Sequence, residues 1–347
     1  MKVDFIIVGQ GIAGTCFAFE LLKKNKTFII IDEVESSTSS RVALGVYNPL
    51  ILKWLTKPWK IESQINYFFH FYNEINQFLK QDFTHDIGIY KFLKTPYEQN
   101  NWLSKSTQSN ISQYMSSTLK NLNYKGLVNN ECYGLVKFSG RLDVLKLLHS
   151  FASHFVKSEN LINEKFNYHD LTIKDDCVLY RNILAKKIIF CEGVSAVSNP
   201  YFKSINLKPI KGEIITIYCK DLHLKSIIHS GFLLIPLGDD YYSVGATYDW
   251  DFNNTAPTKE AKQKIVNVLN KTIHLPYTIV NQYAGIRPST SDRRALIGVH
   301  KDYNNMYILN GLGTRGVLLA PYLSKCLIES IYFKTLINSE VNINRFY

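Results

Sequence analysis

Lys2-Val3-Asp4-Phe5-Ile6-Ile7-Val8-Gly9-Gln10-Gly11-Ile12-Ala13-Gly14 is the stretch that decides how this chain folds. Lys2 to Val8 reads as a buried strand, Gly11 to Lys24 as a helix, and Thr27 to Ile31 as a second buried strand ending at Asp32. Both strands are apolar throughout, as in a parallel sheet covered on both faces. Gly9, Gly11 and Gly14 match GxGxxG between a strand and a helix, the context that gives the motif meaning. Gly9 permits a tight turn, Gly11 lets the backbone approach a pyrophosphate, and Gly14 allows close helix packing. The helix start, with Ile12 and Ala13, offers unpaired N–H groups to phosphate. Asp32, followed by Glu33, closes the second strand where a carboxylate accepts bonds from a ribose hydroxyl.

The fingerprint does not choose between FAD and NAD. Near the other end, Ile308-Leu309-Asn310-Gly311-Leu312-Gly313-Thr314-Arg315-Gly316-Val317 sets a second glycine-rich turn ahead of a helix. The free amides and dipole of such a helix start suit the negative charge that builds at the pyrimidine end of a reduced flavin. A nicotinamide-only reductase leaves this second turn unexplained, so FAD is the expected cofactor.

Between these two turns the pattern changes several times. Ser36 to Ser40 reads as a polar loop, followed by Arg41-Val42-Ala43-Leu44-Gly45. From Tyr47 to Phe138 the sequence reads as longer helical segments rich in aromatics, suggesting an inserted second domain. Gly140 to Phe155 reads as an amphipathic helix, and Ile188 to Cys191 as a buried strand ending in Glu192-Gly193. Residues 208 to 284 alternate as strands (Glu213 to Tyr218, Phe232 to Ile235, Tyr241 to Ala246) with one helix near Lys259 to Lys271. Met306 to Phe333 is strand, turn and helix again. The expected organisation is a discontinuous nucleotide domain (1–46, 139–207 and 284–347) alternating with a sheet-rich substrate domain (47–138 and 208–283), consistent with 347 residues being long for one core.

Composition narrows the alternatives. The hydrophobic fraction of 46% with 20% charged residues is that of a globular protein, and no uninterrupted apolar run approaches a membrane span. The apolar run after Lys2 is too short for a secretory signal. Six cysteines without a CxxC pair read as reduced thiols in a cytoplasmic protein, and nine histidines without an HxxxH spacing suggest no metal site. The formal charge of +11 is spread over scattered lysines; it is compatible with a polyanionic partner such as RNA and equally with a lysine-rich background.

The fingerprint, Cys191-Glu192-Gly193, Gly285-Ile286-Arg287-Pro288-Ser289-Thr290-Ser291-Asp292 and the closing Gly311 to Val317 turn occur in an order that resembles the D-amino-acid oxidase family of FAD-dependent oxidoreductases. Gly45-Val46-Tyr47-Asn48-Pro49, Gly313 to Gly316 and Leu319-Ala320-Pro321 look most like the FAD-dependent C-terminal domain of the bifunctional tRNA 5-methylaminomethyl-2-thiouridine biosynthesis protein. The resemblance implies an α/β fold: a Rossmann-like, glutathione-reductase-type FAD domain with an inserted, mostly antiparallel substrate domain. It also implies oxidation of a substrate CH–NH or CH–NH2 group by non-covalently bound FAD, which carries the chemistry. By the same resemblance Arg287 binds a substrate carboxylate through its bidentate fork. The cofactor set extends from Gly9, Gly11, Ile12, Ala13, Gly14, Asp32 and Glu33 to Arg41, Val42, Gly45, Phe166, Glu192, Gly193, Gly311, Gly313, Thr314, Arg315, Gly316 and Val317.

Other residues are candidates on residue type. Tyr248, with Tyr47 and Tyr242, is a candidate pocket wall or hydroxyl donor, and Lys211 and Lys53 are candidate activators of oxygen. Arg315 is placed either over the flavin or toward a nucleotide substrate. Three substrate readings stay open: the carboxymethylaminomethyl group of a tRNA wobble uridine, a free small amino acid such as glycine or sarcosine, and a flavin-binding subunit without turnover.

Overall fold

The computed structural model describes residues 1–33, 38–128 and 131–347. The expected β-α-β unit is present: strand Lys2–Val8, helix Ile12–Lys23 and strand Phe28–Asp32, with the two strands parallel. They belong to an eight-stranded sheet whose order runs Leu296–Val299, Met306–Asn310, Ile183–Phe190, Lys2–Val8, Phe28–Asp32 and Leu161–Asn163. Every neighbouring pair from Met306–Asn310 to Leu161–Asn163 is parallel. The central strands are buried along nearly their whole length, which explains why they carry no polar alternation.

A second, seven-stranded sheet is antiparallel except where Ile227–His229 runs alongside Ile89–Phe92. Its longest pair, Leu207–Tyr218 with Thr278–Thr290, carries the Arg287 segment toward the first sheet. This is the expected fold class. Two local readings are corrected. Gly140 to Phe155 is not one helix: Gly140–Leu142 is a strand paired with Val46–Tyr47 and Thr84–His85, and the helix is Val144–Lys157. Asp143 sets that start, its carboxylate accepting from the Lys146 N–H at 3.2 Å. The stretch from Tyr47 to Phe138 contains helices Ile61–Leu79 and Pro96–Ser106, and also strands Ile89–Phe92 and Tyr133–Val136 that complete the second sheet. Of the expected loop Ser36 to Ser40, Ser36 and Ser37 lie outside the described residues, while Ser39–Val42 forms a short helix.

One face of the first sheet is packed with aromatics. Phe19 meets Phe71 edge to face at 5.4 Å, and Phe28 meets Phe155 in the same way at 5.7 Å. Each such pair contributes about 1 kcal/mol beyond the area it buries. The final helix, Gly316–Phe333, averages a hydropathy of 1.2 over its 18 residues, enough by length and composition to cross a membrane. Here it packs against Ile12–Lys23 and Ile61–Leu79 as a core helix. Pro321 inside it has no N–H to give the Val317 carbonyl, and the Tyr72 hydroxyl donates to that carbonyl at 3.2 Å instead. The helix that begins at the second glycine turn is thereby fastened to Ile61–Leu79.

Candidate active site

A cavity of about 580 Å³ opens between the two sheets, within the size range of cofactor and ligand sites. Its near end is the C-terminal edge of the parallel strands, where the first helix begins. Gly9 takes φ +100, and a Cβ there would sit 2.6 Å from the Cys191 carbonyl oxygen. A Cβ on Gly14 would lie 1.9 Å from the Gly9 carbonyl oxygen, so the helix packs against its own entry turn only because position 14 is bare. Gly14 therefore shapes the site without lining it, whereas Gly9, Gly11, Ile12 and Ala13 face the cavity.

Asp32 and Glu33 also line this end, and the Asp32 carboxylate accepts from the Gln10 N–H at 2.8 Å. Ser40 closes over the helix start, accepting from the Ile12 N–H at 3.1 Å. A hydroxyl that accepts from an amide keeps its own proton to donate to an oxyanion. Gly193, at φ +56, has no atom within 4 Å of its Cβ position and faces open cavity. Beside it Glu192 accepts from the Tyr168 hydroxyl and, at 2.7 Å, from Asn199 Nδ2. Burial raises its pKa against those two bonds. Phe166 completes this wall, stacked 4.5 Å from Tyr180. Glycine-bared amides, a hydroxyl and an acid at the strand end are the donor and acceptor set that a dinucleotide needs, so these residues fit FAD.

The second glycine turn lies across the cavity. Gly313, Thr314, Gly316 and Val317 line it, and Val42 and Gly45 do so from the short helix and the strand beyond it. Several further candidates do not line this cavity. Gly311 sits behind the lining, a Cβ there meeting Thr290 and Leu296 at 3.1–3.3 Å. Arg41 follows Ser40 on the short helix but does not line the cavity. Arg315 does not line it either. Its guanidinium donates to the Asn48 carbonyl, tying the helix start to the Asn48 turn, and burial lowers its pKa to about 10. Lys211, buried and next to a cavity glycine, is on the other face of its strand because side chains alternate; it pairs with Glu213 at 3.3 Å and donates to the Ala256 carbonyl. The role of oxygen activator has no geometric support there, nor at Lys53, which lies exposed over the Trp54 ring at 4.7 Å.

At the far end the cavity is lined by Arg287 and Tyr248. The guanidinium carbon lies 4.6 Å from the centre of the Tyr248 ring, and Nη1 donates to the Thr247 carbonyl at 3.1 Å. Burial lowers the Arg287 pKa, and no carboxylate pairs with it among the described residues. Tyr47 and Tyr242 do not join Tyr248: both are core residues, and the Tyr47 hydroxyl donates to Asp86.

Sequence reading missed Ser40, Gly212 and Gly285. Gly212 and Gly285 are paired directly across the strands. Position 285 admits Ser39 and Val42, and position 212 admits the Arg287 guanidinium. Isolated glycines inside alternating strand patterns were the available signal, since they mark a close approach.

The family model for FAD dependent oxidoreductases named DAO matches residues 4–330. The chain belongs to this family. Family, fold and cofactor are as the sequence led one to expect: this is an FAD-dependent oxidoreductase, and relatives that oxidise amino acids, such as glycine oxidase, are among the proteins it resembles. The chain is 22% identical to the tRNA 5-methylaminomethyl-2-thiouridine biosynthesis bifunctional protein MnmC of Marinobacter nauticus over 94% of its own length and 55% of that protein, so it spans about half of that relative. It is 23% identical to the glycine oxidase of Pseudomonas putida, covering 92% of each chain. The iminodiacetate oxidase of Chelativorans sp. BNC1 shares the fold with a TM-score of 0.79 at 18% identity, covering 99% of this chain and 98% of that one.

Proposed function

We propose that this family member oxidises the CH–NH bond of an amine bearing a carboxymethyl arm, and that Arg287 holds the carboxylate of that arm. The observation that carries the reading is the Arg287 guanidinium: it faces the cavity, is desolvated, and has a neutral carbonyl and a tyrosine ring as neighbours in place of an acid. A planar fork in such surroundings retains donors for a bidentate carboxylate. FAD, when bound, supplies the electron sink. The work left to the chain is orientation and exclusion of water, with Ile214 and Leu233 as apolar lining on the strand face that carries Gly212 and Arg287. Among the described residues the acids lining the cavity, Asp32, Glu33 and Glu192, belong to the dinucleotide end, and no histidine lines it. On this reading the amine enters neutral, without a dedicated base.

The substrate we favour is the carboxymethylaminomethyl group of a tRNA wobble uridine. Its support is the +11 charge of the chain, the exposure of Tyr248 at 59%, and the likeness to the bifunctional tRNA protein. A free amino acid such as glycine or sarcosine is the second reading, favoured by the end-to-end match with glycine oxidase. Non-covalent flavin is part of the proposal: among the cysteines Cys191 alone lines the cavity, at the dinucleotide end, and burial raises its thiol pKa. The test is anaerobic bleaching of the flavin spectrum by sarcosine, glycine and fully modified tRNA in turn. Bleaching by tRNA with loss of the modified nucleoside supports the first reading, bleaching by small amines alone supports the second, and no bleaching by any carboxylated amine refutes both.

A further inference from the structure

Outside the arginine–tyrosine pair at the cavity stands a second pair of the same kind. The segment from Ala246 to Thr255 lines the cavity at Ala246, Tyr248 and Thr255, and Trp250 projects from it 55% exposed. The Arg293 guanidinium carbon lies 5.9 Å from the centre of the Trp250 ring. Arg293 follows the strand that carries Arg287, so both arginines come from one strand and its turn, and both aromatic partners from one facing segment.

The frame around this outer pair is held firmly. Backbone bonds of 2.9 Å in both directions join Asp249 to Lys211. On the other side, Asp292 is bonded to Arg345 at 2.8 Å and Arg294 to Glu340 at 2.9 Å. The charges on either side of Arg293 are thus paired, while Arg293 itself has no ion pair among the described residues. Its backbone sits at φ +58 with its N–H bonded to the Thr290 carbonyl at 3.1 Å, a tight turn that presents the side chain outward. A large exposed indole beside an unpaired guanidinium contributes little to the fold. It is, however, the combination that single-stranded nucleic acid binding requires: an aromatic face for a base and a cation for the adjoining phosphate.

We infer that Trp250 and Arg293 form an outer subsite at the mouth of the cavity, which stacks a base of single-stranded RNA and holds its phosphate while the reactive amine reaches Arg287. The inference rests on the nucleic-acid-borne substrate proposed above. A free amino acid would be contained by the inner pair and would leave the outer one unused. Net positive charge of +11 favours a polyanion over a neutral aromatic ligand.

The test measures binding without turnover. A fluorescently labelled short single-stranded oligouridylate is titrated with holoprotein, reading anisotropy, and repeated at several salt concentrations. Trp250→Ala is expected to weaken binding about tenfold or more, with Trp250→Phe retaining most of the affinity, since a base stacks on any aromatic face. Arg293→Ala is expected to reduce the salt slope by about one, the signature of a lost phosphate contact. The inference is overturned if wild-type protein does not bind the RNA, or if both alanine variants bind within about twofold of wild type, a difference too small for a stacked base. A protein that binds in this way yet oxidises no amine would fail the proposed function and leave the subsite standing. One that bleaches with a carboxylated amine while the variants bind as wild type does would fail the subsite alone.

Discussion

A Cβ at position 212 would lie 2.1 Å from Arg287 Nη2, so the guanidinium occupies the space that Gly212 leaves bare. Arg287 pairs across the strands with Ile210, and its side chain extends to the residue two further along on the same face. The obstruction falls on the mobile end of a side chain, not on backbone. Gly212→Ala is therefore expected to fold and retain FAD, with stability within about 1 kcal/mol of wild type, while Arg287 is displaced. KM for a carboxylated amine should rise by about 100-fold, as when a charge-assisted pair is lost. Steady-state kinetics beside a thermal melt checks this; an unchanged KM would mean that Arg287 does not anchor the substrate where it now stands.

Replacing the arginine itself separates charge from shape. Arg287→Lys keeps the charge without the planar fork and should lower kcat/KM for a carboxylated amine by about tenfold or more, and Arg287→Met by about 100-fold. Neither should discriminate further against the same amine lacking its carboxylate. Comparison of sarcosine with dimethylamine across the three proteins reads this directly, and an equal loss on both substrates would assign Arg287 to some other task.

Tyr72 and Pro321 form a pair that sequence distance conceals. Tyr72→Phe removes the donor to the Val317 carbonyl in a site where Tyr72 is fully buried, leaving an orphaned acceptor at a cost of about 1–3 kcal/mol. Pro321→Ala supplies an N–H to the same carbonyl. The double variant should recover part of the loss, giving a coupling of about 1 kcal/mol in a denaturation cycle. Strictly additive effects would show that the two groups do not serve one carbonyl.

His229 makes stability depend on acid. Burial, with Lys91 and Lys94 nearby, lowers its pKa from 6.5 to about 4, and Nδ1 has no hydrogen-bond partner among the described residues. The unfolded chain takes up the proton first, so the favourable contribution is complete above pH 6.5 and is lost as pH falls toward 4. The difference amounts to about 3 kcal/mol over that window. His229→Leu should flatten the dependence, seen in urea midpoints measured at about pH 7.5 and about pH 5. A wild-type midpoint that does not change between them, or a variant that keeps the full slope, would remove His229 from the account.

Much of this was legible before any coordinate. The β-α-β unit around Gly9 to Gly14, Asp32 at the strand end and the second turn from Gly311 to Val317 are local patterns. Strand apolarity, glycine spacing and the position of an acid are determined within a few tens of residues, and they were enough for the dinucleotide fold and FAD; the enzyme class came from the resemblance carried by the wider order of motifs. The pairing that makes Gly140–Leu142 a strand, by contrast, depends on partners at Val46–Tyr47 and Thr84–His85. Only the tertiary structure decided which charged and aromatic side chains face the cavity. Lys211 and Gly212 are neighbours in sequence, yet alternation along the strand sends them to opposite faces. Arg315 lies between two cavity residues and its guanidinium is held by Asn48. Tyr248 reaches Arg287 while Tyr47 and Tyr242 are core. Residue type is a property of one position, but orientation is set by register between strands about 70 residues apart, and that register exists only once the sheet has formed.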